Sequence, residues 1–215
     1  MPVDAPSYPV NLLLEGRRVL VVGGGTVAAS KVQGLLAAGA VVHVVARELG
    51  PDIHALEVTS EERPYARGEV AGYRLAVACT DDPAVNQAVF DDGEAAGVWV
   101  NAADDPERCS YTLPARLDRG RLLVTVSTSG ESPALAGWLR DQLAAHLGPE
   151  HETLLELLSE ARRSLADTGR SRPVADWRAA LDSGMLDLIR SGRTAEAKGQ
   201  LRAALHLDDA PPESR

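Results

Sequence analysis

The sequence predicts an α/β protein: a doubly wound parallel sheet of five or six strands over the first two thirds of the chain, then an all-helical C-terminal region. Three observations predict it. Short Val-rich runs alternate with helix-like stretches, as parallel βαβ units require. Those runs are continuously apolar rather than alternating, which suits a sheet covered on both faces. After Gly148-Pro149 no β-like run follows, and only helical periodicity remains.

Arg17–Val22 (RRVLVV) is the first strand, bounded by Gly16 and a glycine triplet. Thr26–Ala38 is a helix with Val27, Lys31, Leu35 and Ala38 at spacings of three and four. Gly39 ends it at C′, where only glycine adopts a left-handed backbone cheaply. Val41–Ala46 is the second strand, and a weak third is expected near Arg63–Tyr65. Tyr73–Cys79 is the fourth. Asp82 is a natural N-cap and Pro83 a natural first residue for a helix reaching about Ala96. Val98–Val100 is the fifth strand, ending at Asn101, and Leu122–Ser127 the sixth. Helices are expected over Pro133–His146, His151–Ala166, Val174–Ile189 and Thr194–Leu205, with a breaker at Thr168–Pro173. The residues from Asp208 on are expected to fray. So small a helical tail buries little surface alone, so it is expected to pack on the sheet domain or on a second chain.

Composition narrows the function. Apolar residues make up 45% and charged residues 25%, which excludes a disordered or fibrous chain. Aromatics are only 4%, so Val, Leu and Ala must build the core. The net charge of −9 argues against broad binding to nucleic acid or an anionic membrane, while leaving room for a local basic pocket. Cys79 and Cys109 are isolated, which argues against a disulfide framework or a Cys-based zinc site and for a reducing cytoplasm. Neither a signal peptide nor a membrane span is expected. Only Lys31 and Lys198 exist, and neither completes a GxxxxGK phosphate loop or a Tyr-xxx-Lys pair. HExxH is absent, and no metal site is expected.

The glycine run carries the clearest chemistry. Gly23-Gly24-Gly25-Thr26-Val27-Ala28 has the form G-x-G-x-x-A between a strand and a helix. The first glycine allows the tight turn, the second lets a diphosphate approach the backbone, and Ala28 allows close helix–strand packing. The diphosphate of a dinucleotide would sit at the helix N-terminus, where free N–H groups and the dipole favour an anion. At the end of the second strand Arg47 and Glu48 are adjacent. An acid there accepts from the ribose 2′-OH of NAD, whereas an arginine accommodates the 2′-phosphate of NADP, and the sequence leaves both open.

Ligands of open α/β sheets bind beyond the carboxyl ends of the strands. Thr80-Asp81-Asp82, Asn101 with Asp104-Asp105, and Thr128-Ser129-Gly130 stand at such ends. Asp104 is the candidate for proton chemistry, since the like charge of Asp105 would raise its pKa towards that of a useful base. Asp-Asp-Pro is equally a turn signal. Thr128-Ser129-Gly130 reads either as a second anion site or as the turn into the next helix.

Several segments together resemble one family. They are Tyr8-Pro9, GRRVLVVGGGTVAASKVQGLLAAGA, Ala78–Asn86 (ACTDDPAVN), Val100–Ala115 (VNAADDPERCSYTLPA) and Val126–Arg140 (VSTSGESPALAGWLR). In order and spacing they resemble the precorrin-2 dehydrogenase/sirohydrochlorin ferrochelatase family, the NAD-dependent part of siroheme synthase. The resemblance implies a Rossmann-type domain over 1–112, a dimerisation region over 113–147, a helical region over 148–215, and a homodimer. It implies NAD-dependent oxidation of precorrin-2 to sirohydrochlorin, followed by insertion of ferrous iron to give siroheme. It places NAD on Gly23, Gly24, Gly25, Thr26, Val27, Arg47, Glu48, Thr80 and Asp81. It makes Asp104 the key side chain and puts the tetrapyrrole near Asn101, Thr128, Ser129 and Gly130. Arg108, Arg116, Arg119 and Arg140 are candidate partners for substrate carboxylates. The chain departs from the family pattern at Ala102-Ala103 and in the Thr128 loop, and 215 residues leave no room for the methyltransferase domain of larger members. A dehydrogenase without chelatase activity, or a non-catalytic NAD-sensing module, are the alternatives.

Overall fold

The computed structural model describes residues 7–103 and 105–208. Its first unit is built from β1 (Arg18–Val22), α1 (Thr26–Ala37), β2 (Val41–Ala46), α2 (Pro51–His54), β3 (Thr59–Glu62), β4 (Leu75–Ala78), α3 (Pro83–Ala96) and β5 (Trp99–Ala102). The five strands pair in parallel in the order β3-β2-β1-β4-β5. The chain moves outward through β2 and β3, then returns to place β4 on the other side of β1. The carboxyl ends of β1 and β4 therefore flank the point where strand order reverses, the usual ligand position in such sheets.

Strand geometry explains the continuous apolar runs. Successive side chains point to opposite faces. Val19, Val21, Val42, Val44, Leu75 and Val77 face a layer that holds Ala28, Ala29 and Val32 of α1 and Ile53 of α2. Leu20, Val22, Val45, Ala76, Ala78 and Val100 face the opposite layer, which holds Val89 of α3 and Val70. With helices on both faces the central strands are almost wholly apolar; the exception is the partly buried His43 of β2, whose Nδ1 lies 2.6 Å from the Tyr73 hydroxyl. The end of α1 is as expected: Gly39 has φ 75°, its N–H bonds the Leu36 carbonyl at 2.9 Å, and the Ala40 N–H bonds that of Leu35 at 3.1 Å.

Four expectations are corrected. The third strand is Thr59–Glu62, not Arg63–Tyr65, and all four of its residues are exposed. It is an edge strand held by pairing with β2, so it carries no apolar signal. The Arg63–Tyr73 segment is instead clamped to α3. Buried Asp92 accepts from Arg67 Nε at 2.8 Å, Gly68 N at 2.6 Å and Tyr65 Oη at 2.8 Å. Arg67 foremost, with the Gly68 amide and Tyr65, holds the Asp92 carboxyl down to about 2.

Asn101 lies within β5 rather than beyond it, because the strand extends to Ala102. The edge of β5 is met by the chain's own Cys109, bridged to Asn101, with Ser110 N donating to Val100 O at 2.7 Å.

The expected sixth strand is not in the parallel sheet. Leu122–Val126 is β7, and it pairs antiparallel with β6 (Ala115–Arg119) in a separate hairpin. Gly120, with φ 55°, takes the first place of the two-residue turn, where such hairpins need positive φ.

The region Val174–Ile189 is two helices, α6 (Val174–Leu181) and α7 (Met185–Arg190), divided at Gly184 with φ 85°. With α4 (Pro133–His146), α5 (Glu150–Asp167) and α8 (Thr194–Ala204) they complete the helices. By contacts the chain forms two units: one runs to Leu113 and takes in Thr128–Ser132, and the other holds Pro114–Ser127 and the described residues from Pro133 on. Within the second unit, α5 to α8 share a core of Leu157, Ala161, Ala180, Met185, Ile189, Ala197, Leu201 and Leu205.

Candidate functional site

The glycine run forms a cradle at the carboxyl end of β1, and each glycine has a separate reason. Gly23 has φ 135°, and a Cβ there would collide with the Cys79 carbonyl beyond β4. Its N–H bonds the Val45 carbonyl of β2 at 2.9 Å. A Cβ on Gly24 would collide with the Glu48 carbonyl, and the Gly24 carbonyl accepts from Gly50 N at 2.9 Å. Gly25 differs: beyond its chain neighbours, nothing lies within 4 Å of the position its Cβ would take. It is the N-cap of α1 and offers no side chain to the amides of the first turn. Thr26 and Val27, which follow, are exposed, while Ala28 is fully buried against the sheet. Two glycines thus lock the loop to its neighbours, and the third leaves a bare helix start facing solvent. That arrangement fits a diphosphate.

The flanking strand ends are polar. Arg47 and Glu48 are both exposed just past β2. The Arg47 guanidinium lies 3.7 Å from the Asp82 carboxylate, which stands past β4. Thr80 is engaged internally: its N–H reaches Asn86 Oδ1 at 3.2 Å, and its carbonyl accepts from Asn86 Nδ2 at 2.9 Å. Its hydroxyl accepts from Asp82 N at 3.2 Å and lies 2.8 Å from Asn86 Oδ1. Asp81 is exposed beside it. Asn86 is the residue that sequence reasoning missed, since nothing local announces its bonds to Thr80.

Asp104 lies outside the described residues. Its neighbour Asp105 is ion-paired with Arg108. Asn101 is buried, and its amide donates to the Tyr111 carbonyl at 2.9 Å. The Thr128 loop is a hydrogen-bonded turn. Ser129 and Gly130 both have positive φ, 55° and 89°; Glu131 N bonds Thr128 O at 3.0 Å, and Ser132 N bonds Thr128 Oγ1 at 3.1 Å.

The candidate arginines have partners of their own. Arg108 donates to Gln87 at 2.6 Å, Arg116 pairs with Asp118 at 3.4 Å, Arg119 donates to the Leu147 carbonyl at 3.0 Å, and Arg140 pairs with Asp141 at 2.7 Å. Burial pushes the Cys79 thiol up to about 12, which leaves it inert at neutral pH. Among the described residues no cluster of His, Cys, Asp or Glu is set to hold a metal ion. No described helix is long and apolar enough to cross a membrane.

A parallel sheet in this order with a bare helix start at its reversal point defines a dinucleotide-binding protein of the Rossmann type. Comparison with known proteins agrees. Residues 10–115 match a family model described as "Putative NAD(P)-binding", and residues 119–146 one described as the central part of a sirohaem biosynthesis protein. The chain is 38% identical to a siroheme synthase of Chromobacterium violaceum over 204 residues, covering 90% of this chain and 43% of that protein. It is 36% identical to siroheme synthase 1 of Serratia proteamaculans over 205 residues, covering 92% and 43%. Among solved structures it resembles SirC, a precorrin-2 dehydrogenase, with a TM-score of 0.71 and 26% identity over 92% of this chain and 100% of that one. The chain belongs to the siroheme synthase family, and it spans less than half the length of the curated relatives it matches.

Proposed function

We propose that this chain oxidises precorrin-2 to sirohydrochlorin with NAD. The observation that carries the reading is the likeness to SirC, which extends over the whole of that dehydrogenase. The cradle supports it, because it offers backbone amides and open space where a dinucleotide needs them. Gly23, Gly24, Gly25, Thr26 and Val27 would hold the diphosphate, with Arg47 and Glu48 at the adenosine ribose and Thr80 and Asp81 beyond β4. NAD, when bound, supplies the hydride acceptor. The protein's part is to hold the substrate carbon in line and to take up the proton that leaves as the hydride departs. Asp104 is the proposed base. Asn101 is proposed to steady the chain on the substrate side through its bond to Tyr111, and Thr128, Ser129 and Gly130 to border the tetrapyrrole.

The same carboxylate is proposed to accept pyrrolic protons as ferrous iron enters sirohydrochlorin; here iron is a substrate, and two protons leave as it binds. Relatives named for siroheme, the iron-bearing product, favour this second step. A cytoplasmic homodimer organised as 1–112, 113–147 and 148–215 completes the proposal. The support for the homodimer is α4, where Leu135, Trp138 and Leu143 are 47%, 57% and 39% exposed at helical spacing.

The test is anaerobic incubation of precorrin-2 with the protein and NAD, followed by absorbance. NADH and sirohydrochlorin should form together, and Asp104→Ala should abolish turnover with NAD affinity unchanged. Absence of NAD-dependent turnover overturns the dehydrogenase reading. Iron insertion no faster than the spontaneous rate overturns the chelatase step alone.

A further inference from the structure

The carboxyl end of β1 lies between β2 and β4, and one ion pair joins the segments on either side of it. Arg47 leaves the end of β2 and meets Asp82, which caps α3 beyond β4. The pair therefore crosses the mouth into which the glycine cradle opens. It is loose: the contact is 3.7 Å, and the two side chains are 70% and 41% exposed. An exposed pair of this kind contributes little, so a better anion displaces Asp82 readily.

The backbone beside Arg47 is not free to move. The Glu48 carbonyl abuts Gly24, and Gly50 N donates to the Gly24 carbonyl. Arg47 is thus an exposed, loosely paired cation on a braced base, at the end of the second strand where the cradle reading puts the adenosine ribose. A planar guanidinium matches a phosphate dianion with paired donors, which Glu48 cannot.

We propose that Arg47 is a specificity-determining residue that admits a dinucleotide carrying a ribose 2′-phosphate, so that the chain binds NADP as well as NAD. This rests on the nucleotide reading of the cradle given above. In the resting state Arg47 is parked on Asp82; with a 2′-phosphate present it turns from that carboxylate to the phosphate. NAD gives no such exchange, and its 2′-hydroxyl is left to Glu48.

The experiment is calorimetric binding of NAD, NADP and adenosine 2′,5′-bisphosphate to the intact chain, which does not require turnover. Arg47→Ala should weaken NADP and the bisphosphate by roughly ten- to a hundredfold, the loss of a charge-assisted contact, and should weaken NAD at least tenfold less than NADP. Asp82→Asn retains a capping oxygen but removes the competing charge, and should tighten NADP without tightening NAD. If Arg47→Ala shifts the NADP-to-NAD affinity ratio by less than about tenfold, Arg47 is not the discriminator, and binding of NAD still upholds the cradle. If the native chain binds neither dinucleotide, the cradle reading falls and this proposal with it.

Discussion

Two helices begin at the same edge of the sheet, and they begin differently. At α3, Pro83 occupies the first turn, Asp82 accepts from Ala84 N at 3.0 Å, and Thr80 and Asn86 tie the approach together. At α1 the cap is Gly25, and no side chain closes the turn. A filled cap has met its own hydrogen bonds and has nothing to offer a ligand. An empty one keeps free amides and a positive dipole end for an anion. The Thr128 turn likewise spends its carbonyl and hydroxyl on Glu131 and Ser132, which suits it to border a tetrapyrrole by packing and not to hold an anion.

The largest effect should come from Gly24→Ala. The new methyl would strike the Glu48 carbonyl, so the loop must deform, at a cost of about 3 kcal/mol in denaturant unfolding. Gly25→Asp gives α1 the cap that α3 has. It should leave stability unchanged or raise it by about 0.5–1 kcal/mol, yet weaken NAD about a hundredfold by filling the anion site with like charge. Retained NAD affinity would break the comparison.

Asp92 gives a smaller effect on the closed helix. Its lowered pKa means that its stabilisation is complete above about pH 4 and is lost as the pH falls towards about 2. Roughly 2 kcal/mol should vanish across that window. Urea midpoints from pH 5 to 2 should show a steeper acid limb in the native chain than in Asp92→Asn. Asp82→Ala should cost only about 1 kcal/mol, read as a small fall in Tm.

Much of this was legible in the residues. Helix ends were marked by local chemistry that does not depend on the rest of the fold: Gly39 at C′, and Asp82-Pro83 at the start of α3. The glycine run and its flanking strand located the cradle. Distance in the chain hid the rest. β3 is held by pairing and not by burial, so TSEE gives no strand signal. Leu122–Val126 is largely apolar in either kind of sheet, and its partner, ARLDR, alternates too weakly to announce the hairpin that the Gly120 turn closes. Asn101 read as a strand-end group because nothing local announces its bond to Tyr111, ten residues on.

The two borders of the parallel sheet have a consequence for life at high concentration. On one side β3 shows solvent two glutamates and two hydroxyl residues; on the other, Cys109 and Ser110 cover part of β5. A foreign strand adding to either border would have to bury carboxylates or peel away covalently attached chain. Edge-to-edge stacking, the usual first step of fibril growth, is thereby discouraged at both ends.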